Sequence, residues 1–200
     1  GEVLGLPDNV GVPKGRDIGA RRVTTELIGF LDDDAELTPE AERHAVAAFD
    51  DPGVAALALR IVDERGETAR RHIPRPGAGG ADRGGQVVNF LGGACVVRRS
   101  AYLEVGGYWS DLWYGHEELD LAWRLLDAGW SIVYVPDAVV RHPRTDIARH
   151  REGWYRTGRN RVLVARRNLP APVLVAHTIV WLALGVVRAP GGTRRGYVRG

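Results

Sequence analysis

The chain alternates short apolar runs with polar, periodic stretches. Leu27-Ile28-Gly29-Phe30-Leu31 is an unbroken apolar run, the pattern of a buried strand. It ends on three consecutive carboxylates, Asp32-Asp33-Asp34. A helix is predicted from Thr38-Pro39-Glu40 to about Phe49. Thr38 would cap it, Pro39 suits its first position, and Glu40 and Glu42 favour its positive end. Asp51-Pro52-Gly53 stops it. Residues 54–62 read as a strand, Asp63-Glu64-Arg65-Gly66 as a turn and residues 68–73 as a returning strand. Residues 74–86, with two Pro and five Gly, read as a mobile loop of the kind that closes over substrate in an enzyme. Residues 87–97 form another apolar strand, broken by Gly92-Gly93, and glycines inside a strand suggest close approach of a ligand or backbone. Ser100 would cap a short helix ending at Gly106-Gly107. An aromatic loop, residues 108–115, leads into a helix over 117–128 with Leu121, Leu125 and Leu126 on its apolar face and a stop at Gly129. Residues 131–135 and 138–140 read as short strands around Pro136. Strands alternating with helices predict an α/β domain, and no internal repeat is visible.

Beyond residue 140 the character changes. Residues 146–168 form a basic helix candidate. Residues 173–187 are apolar except for His177 and Thr178. This run is short of the roughly 20 residues a membrane span needs. Flanked by Arg166, Arg167 and Arg188, it fits an in-plane interfacial helix; a packed core helix fits it equally, and a true span is the lesser third reading. The division predicted is therefore 1–145 for the α/β domain and 146–200 for a basic helical extension.

Charge sharpens this division. The formal net charge of +2 hides 14 Lys/Arg against 23 Asp/Glu in residues 1–140, and 13 Arg against two acids in residues 141–200. A basic tail with interleaved Trp154, Tyr155 and Trp181 suits an anionic partner: lipid, nucleic acid or a phosphorylated substrate. No recognised DNA- or RNA-binding motif accompanies it. The single cysteine, Cys95, excludes an internal disulfide and a multi-cysteine zinc site.

Three features carry candidate chemistry. Carboxylates crowded at a strand end repel one another unless a cation sits among them, and Asp32 and Asp34, on alternate positions, are the natural pair for Mg²⁺ or Mn²⁺. The alternative is a solvated acidic turn. Glu117-Glu118-Leu119-Asp120 opens a helix after Gly115-His116, where acids are dipole-stabilised. Asp120 can also simply pair with Arg124 one turn on. His142 follows Val139-Val140-Arg141 at a strand end, where an imidazole can complete a metal site.

Several of these motifs resemble family 2 inverting glycosyltransferases of the GT-A fold. They are Asn9-Val10-Gly11, the stretch from Gly15-Arg16-Asp17 to Arg21, Ile28 to Ala35, Asn89 to Arg99 with Val105-Gly106-Gly107-Tyr108, the helix Glu117 to Leu125, and residues 133–142. Tyr155-Arg156-Thr157-Gly158-Arg159-Asn160-Arg161 is similar to the helix that follows the catalytic domain in bacterial rhamnosyl- and galactofuranosyl-type members. The resemblance implies a Rossmann-like mixed sheet with flanking helices and a C-terminal helical extension. It implies that Asp32, Asp34 and His142 hold Mn²⁺ or Mg²⁺ bridging a sugar-nucleotide diphosphate, and that Asp33, Arg16, Gly92 and Gly93 lie at the donor. Glu118 would be the general base, and Trp113, Glu117 and Asp120 would lie at the acceptor. The donor would be a UDP-, GDP- or dTDP-linked sugar. The acceptor would be a hydroxyl of a cell-envelope glycan or lipid-linked sugar. The site would be cytoplasmic, or peripheral at the inner face of the plasma membrane.

The sequence departs from the family pattern in places. Glu118 stands where an aspartate is usual, and Asp17 follows Arg16 in place of Asn. The family's N-terminal strand, with the acidic residue that reads the nucleotide base, has no counterpart, so an N-terminally truncated sheet is expected. Two other functions remain open at this point: an inactive remnant serving as a binding module, and a metal-dependent nucleotidyltransferase.

Overall fold

The computed structural model describes residues 2–75, 80–144, 152–189 and 191–200. Six strands form one mixed sheet: β1 (Leu27–Leu31), β2 (Glu36–Leu37), β3 (Val54–Val62), β4 (Gly85–Gln86), β5 (Ala94–Arg98) and β6 (Ser131–Arg141). Their order is β1-β5-β3-β6-β2, with β4 also on β6. β5 runs antiparallel to both β1 and β3, and β6 runs parallel to β3. The C-terminal ends of β1, β3 and β6 therefore reach the same edge of the sheet. In open α/β sheets this is the edge where ligands bind.

Each face of the sheet buries its own core. On one side, α1 (Val12–Arg22), α3 (Arg99–Glu104) and α4 (Glu117–Asp127) cover Ile28, Phe30, Ala56, Tyr102, Tyr108, Leu121, Leu125, Ile132 and Tyr134. The rings of Phe30, Tyr102 and Tyr108 meet pairwise at 5.2–5.9 Å, in the tilted and edge-on geometries aromatic quadrupoles favour. On the other side, α2 (Ala41–Ala47) covers Leu57, Leu59, Ile61, Ala138 and Val140. β3 is buried on both faces along nearly its whole length, as expected of a strand flanked by neighbours in a covered sheet.

Several expectations are corrected. Residues 68–73 do not return as a strand; Arg70–His72 is a 3₁₀ turn. The turn itself forms, with Asp63 Oδ1 accepting from the N–H groups of Arg65 and Glu67 and Gly66 at φ +78°. β3, however, is already paired on both sides, so a strand coming back has no free edge. Residues 87–97 divide into a non-strand stretch and β5, and the expected loop over 74–86 contains β4. Positions 76–79 of that loop lie outside the described residues. The strands expected around Pro136 are one strand with a bulge: Val135 faces Leu59 and Val139 faces Arg60. The odd insertion of Pro136, Asp137 and Ala138 reverses the inside–outside parity, which places Tyr134 and Val140 in opposite cores. Thr38 does not cap α2. Its hydroxyl donates to the Val139 carbonyl at 3.2 Å, continuing the β2–β6 pairing. Ser100 lies inside α3 rather than ahead of it. α1 has no strong apolar stripe to announce it, because its buried positions are Pro13 and Ala20.

The extension consists of α5 (Gly153–Asn168), α6 (Ala171–Arg188) and α7 (Arg194–Arg199). The part of the predicted basic helix over 146–151 lies outside the described residues. α5 packs on α4, with α6 and α7 behind it. Gly158 permits the α5–α7 approach, since a Cβ there would collide with the Tyr197 carbonyl. Asn160, fully buried, donates from Nδ2 to the carbonyls of Leu112, Tyr114 and Gly115 at 2.8–2.9 Å. Those carbonyls belong to the aromatic loop just ahead of α4. α6 is long and apolar enough to cross a membrane, with 6% of it buried. Gly185 is its buried residue and Val175, Ile179 and Val187 are exposed. The packed-core reading of this helix is therefore set aside. Asn160→Ala should lower stability by about 2–3 kcal/mol, because it orphans buried carbonyl groups; urea unfolding monitored by tryptophan fluorescence would measure it. An unchanged midpoint would mean the clamp is not needed.

Candidate functional site

The chain leaves β1 at Asp32, crosses the sheet edge and enters β2 on the far side of β6. That path carries the carboxylates past the end of β6, where His142 follows Arg141. The Asp32 N–H donates to the Gly93 carbonyl and the His142 N–H to the Val62 carbonyl, so both are anchored to neighbouring chain. His142 Nε2 lies 3.1 Å from Asp34 Oδ1 and 3.6 Å from Asp32 Oδ2. One ligand atom from each of the three residues falls within 4.8 Å of the others. His142 Nδ1 is 2.7 Å from the Pro143 carbonyl. With Nδ1–H donated there, the Nε2 lone pair faces the two carboxylates, and a carbonyl on the far nitrogen is how a ligating imidazole is usually oriented. An all-N,O donor set of two carboxylates and one imidazole fits a divalent cation.

Arg16 of α1 ties this cluster to the start of α4. Its guanidinium reaches Asp32 Oδ1 at 2.7 Å and Glu117 Oε1 at 3.2 Å. Glu117 is 4% exposed, and its Oε2 has no hydrogen-bond partner among the described residues. Glu118, largely buried beside it, has its carboxyl pushed up to about 8, first by burial and then by repulsion from Glu117. Burial likewise raises Glu117. Gly93 must be glycine here, because a Cβ would strike the Asp32 carboxylate. Cys95 is buried beneath, its thiol pushed up to about 12 by burial, which leaves it inert as a nucleophile.

Arg16, Asp32, Asp33, Asp34, Gly92, Gly93, Glu117, Glu118 and His142 line one open cavity of about 530 Å³, within the usual range for ligand sites. These residues are thus brought together from α1, the edge loops, α4 and the end of β6. Trp113 and Asp120 are not among that lining. Trp113 adopts φ +61°, packs over Gly11 and has Arg156 over its ring at 5.5 Å. Asp120 is fully buried, with Arg124 at 2.6 Å, Arg167 at 3.5 Å and Asn168 Nδ2 at 3.0 Å. It joins α4 to the end of α5. Arg71 and His72 also line the cavity. They went unnoticed in the sequence because residues 68–73 read as a strand with no chemical motif.

Residues 2–106, just over half of the chain, match the sequence profile of "Glycosyl transferase family 2". The chain belongs to that family. It is 28% identical over 199 residues to a pre-mycofactocin glycosyltransferase of Mycobacterium tuberculosis, covering 92% of this chain and 42% of that protein. The chain thus spans less than half the length of this relative. Among solved structures, Staphylococcus aureus TarS 1–349 in complex with UDP-GlcNAc superposes with a TM-score of 0.63 at 12% identity, over 96% of this chain and 60% of that one. A mannosyltransferase, PcManGT of Pyrobaculum calidifontis, in complex with GDP-Man and Mn²⁺, superposes with a TM-score of 0.55 at 16% identity, over 90% of this chain and 56% of that one. These likenesses concern the fold, and the mixed sheet with flanking helices is the GT-A arrangement that the motifs imply.

The buried carboxyl has a thermodynamic signature. Burial and the neighbouring Glu117 push the Glu118 carboxyl up to about 8 in the folded chain, from its ordinary 4.5. Between those values the folded chain binds more protons than the unfolded one, so stability falls as pH rises through that window. Glu118→Gln should flatten this fall, as read from urea midpoints across the window in metal-free buffer. Parallel pH profiles for the two proteins would show that Glu118 is not a buried acid.

Proposed function

We propose that the chain carries the catalytic centre of a metal-dependent, inverting transferase that moves a sugar from a nucleotide-sugar to a hydroxyl of a glycan or lipid-linked acceptor. The observation that supports this most is the shared cavity: a three-ligand Asp32–Asp34–His142 cluster and a raised carboxyl, Glu118, open onto the same space. In this reading Glu118, as carboxylate, takes the proton of the acceptor hydroxyl. The hydroxyl oxygen bonds to the anomeric carbon from the face opposite the leaving group, and the bond from that carbon to the diphosphate oxygen breaks. A divalent cation, Mn²⁺ or Mg²⁺, held by Asp32, Asp34 and His142 would supply Lewis-acid stabilisation to the diphosphate. Asp33, Gly92 and Gly93 flank the donor, and Gly93 keeps backbone rather than side chain against it. Arg16 keeps Asp32 and Glu117 apart from each other's charge and so holds the metal side and the base side in fixed relation.

Helices α5 to α7 are, in this proposal, part of the catalytic unit rather than an appendage, because Asn160 fixes the loop ahead of Glu118. α6 lies in the plane of the membrane interface at the cytoplasmic face. Its inner side packs on the extension, and its outer side exposes Val175, Ile179 and Val187.

Three measurements test the assignment. Glu118→Gln should lower transfer by at least about a hundredfold, the usual scale for general-base loss, while nucleotide binding stays close to wild type. Wild-type kcat/KM should rise with pH along a limb well above the ordinary carboxylate range, since the base works only when deprotonated. Retained turnover in the glutamine variant would remove Glu118 from the role. Asp34→Ala should weaken UDP or GDP binding in the presence of Mn²⁺ and leave it unchanged with chelator, as read by calorimetry. An equal loss in both conditions would count against a metal role.

A further inference from the structure

Glu118 is shared by two cavities. Beyond the carboxylate-lined one lies a second, of about 520 Å³, and its chemistry is the reverse. Glu118 is the one acid among its described lining residues, and Arg71, Arg75 and Arg161 enter it from the basic side. Arg161 of α5 is half-buried and sits 3.8 Å from the centre of the Trp181 ring of α6. It forms no ion pair among the described residues, although burial works against its charge. His177, one turn before Trp181 on α6, has a buried Nε2 with no hydrogen-bond partner among the described residues. Its ring stands edge-on to Trp123 at 5.9 Å, and burial lowers its basicity, so it offers hydrogen bonding without a full charge.

An unpaired guanidinium next to an unmatched imidazole nitrogen calls for an anion with several acceptor oxygens. Arginine suits phosphate best because its planar fork makes two parallel charge-assisted bonds. The two indoles call for something apolar beside that anion. α6 carries the apolar character outward: its inner face supplies His177 and Trp181, and its outer face leaves Ile179 63% and Val187 76% exposed. An apolar chain leaving the cavity along this helix stays on apolar surface.

We infer that the second cavity binds the phosphate of a lipid-linked acceptor, with Arg161 and His177 on the phosphate oxygens and Trp123 and Trp181 beside the first part of the apolar chain. The sugar to be extended then lies between this phosphate and Glu118, at the junction of the cavities. This assignment rests on the transferase reading for the role of Glu118, but the binding site itself is testable without turnover.

The test is calorimetric titration of the protein in chelator with farnesyl diphosphate and, separately, with inorganic pyrophosphate. A parallel titration with UDP and Mn²⁺ monitors the carboxylate cavity. Farnesyl diphosphate should bind, and Arg161→Gln should weaken it by about tenfold or more, the scale of a lost hydrogen bond to a charged group. Arg161→Lys should retain part of the affinity, which a general disruption of the fold would not allow. Trp181→Ala should weaken farnesyl diphosphate but not pyrophosphate, and Asp34→Ala should leave both unchanged. Arg161→Gln should bind UDP and Mn²⁺ as wild type does. The inference is overturned by no binding of farnesyl diphosphate, by equal binding in the Arg161→Gln variant, or by loss of binding in Asp34→Ala, which would put the ligand among the carboxylates. Pyrophosphate binding as tightly as farnesyl diphosphate would also overturn it, because the site would then take a free anion and not a lipid. Failure of UDP to bind would sink the transferase reading instead, and the farnesyl diphosphate result would still decide this one.

Discussion

Arg16 is the interaction on which the site depends. Five carboxylates, Asp32, Asp33, Asp34, Glu117 and Glu118, open onto one cavity, and like charges so gathered oppose folding. The Arg16 guanidinium meets one acid from each side, Asp32 and Glu117, and so couples the end of β1 to the start of α4. Without a cation at this point, Asp32 and Glu117 would face each other across a partly dry space. The remaining charge is handled in two ways. His142 turns a nitrogen toward Asp32 and Asp34, and burial and Glu117 raise the Glu118 carboxyl, which favours its neutral form.

The extension meets the same problem from the other side. Its arginines suggest an external anionic partner when the sequence is read alone. In the structure, part of that charge is used internally. Arg167 reaches Asp120 and lies over Trp109, Arg156 lies over Trp113, and Arg159 donates to the Asp111 carbonyl. The acidic body and basic tail are thus partly each other's partner, and the contacts fall on the loop ahead of α4 and on α4 itself, which carries Glu117 and Glu118. Arg161 does not follow this pattern. It stacks on Trp181 without a carboxylate, and it does so at a cavity wall.

Legibility differed by element. The strand over 27–31, the strand over 54–62, the turn at Asp63–Gly66 and the helix at Glu117 were all readable, because each is set by local hydrophobic period or turn chemistry. The returning strand over 68–73 was misread, since strand pairing depends on which edges are free, and β3 has none. The bulge at Pro136 was visible only as a break, because whether two short strands are one depends on the partner they share. Asp120 could be read locally as a partner of Arg124 or, through the family resemblance, as an acceptor contact. Its burial under α5 is what makes it a joint between helices.

By itself the sequence determined which chemistry was present: an acidic triplet at a strand end, a second acidic group at a helix start, a histidine at another strand end and a run of family motifs in order. These follow from covalent order and local period, which one chain carries in full. Tertiary structure decided which of these groups share a space and which are consumed as structure. Distances between residues about a hundred positions apart are set by sheet order and by the packing of α5 against α4. No local pattern encodes that Glu118 stands between an acidic cavity and a basic one.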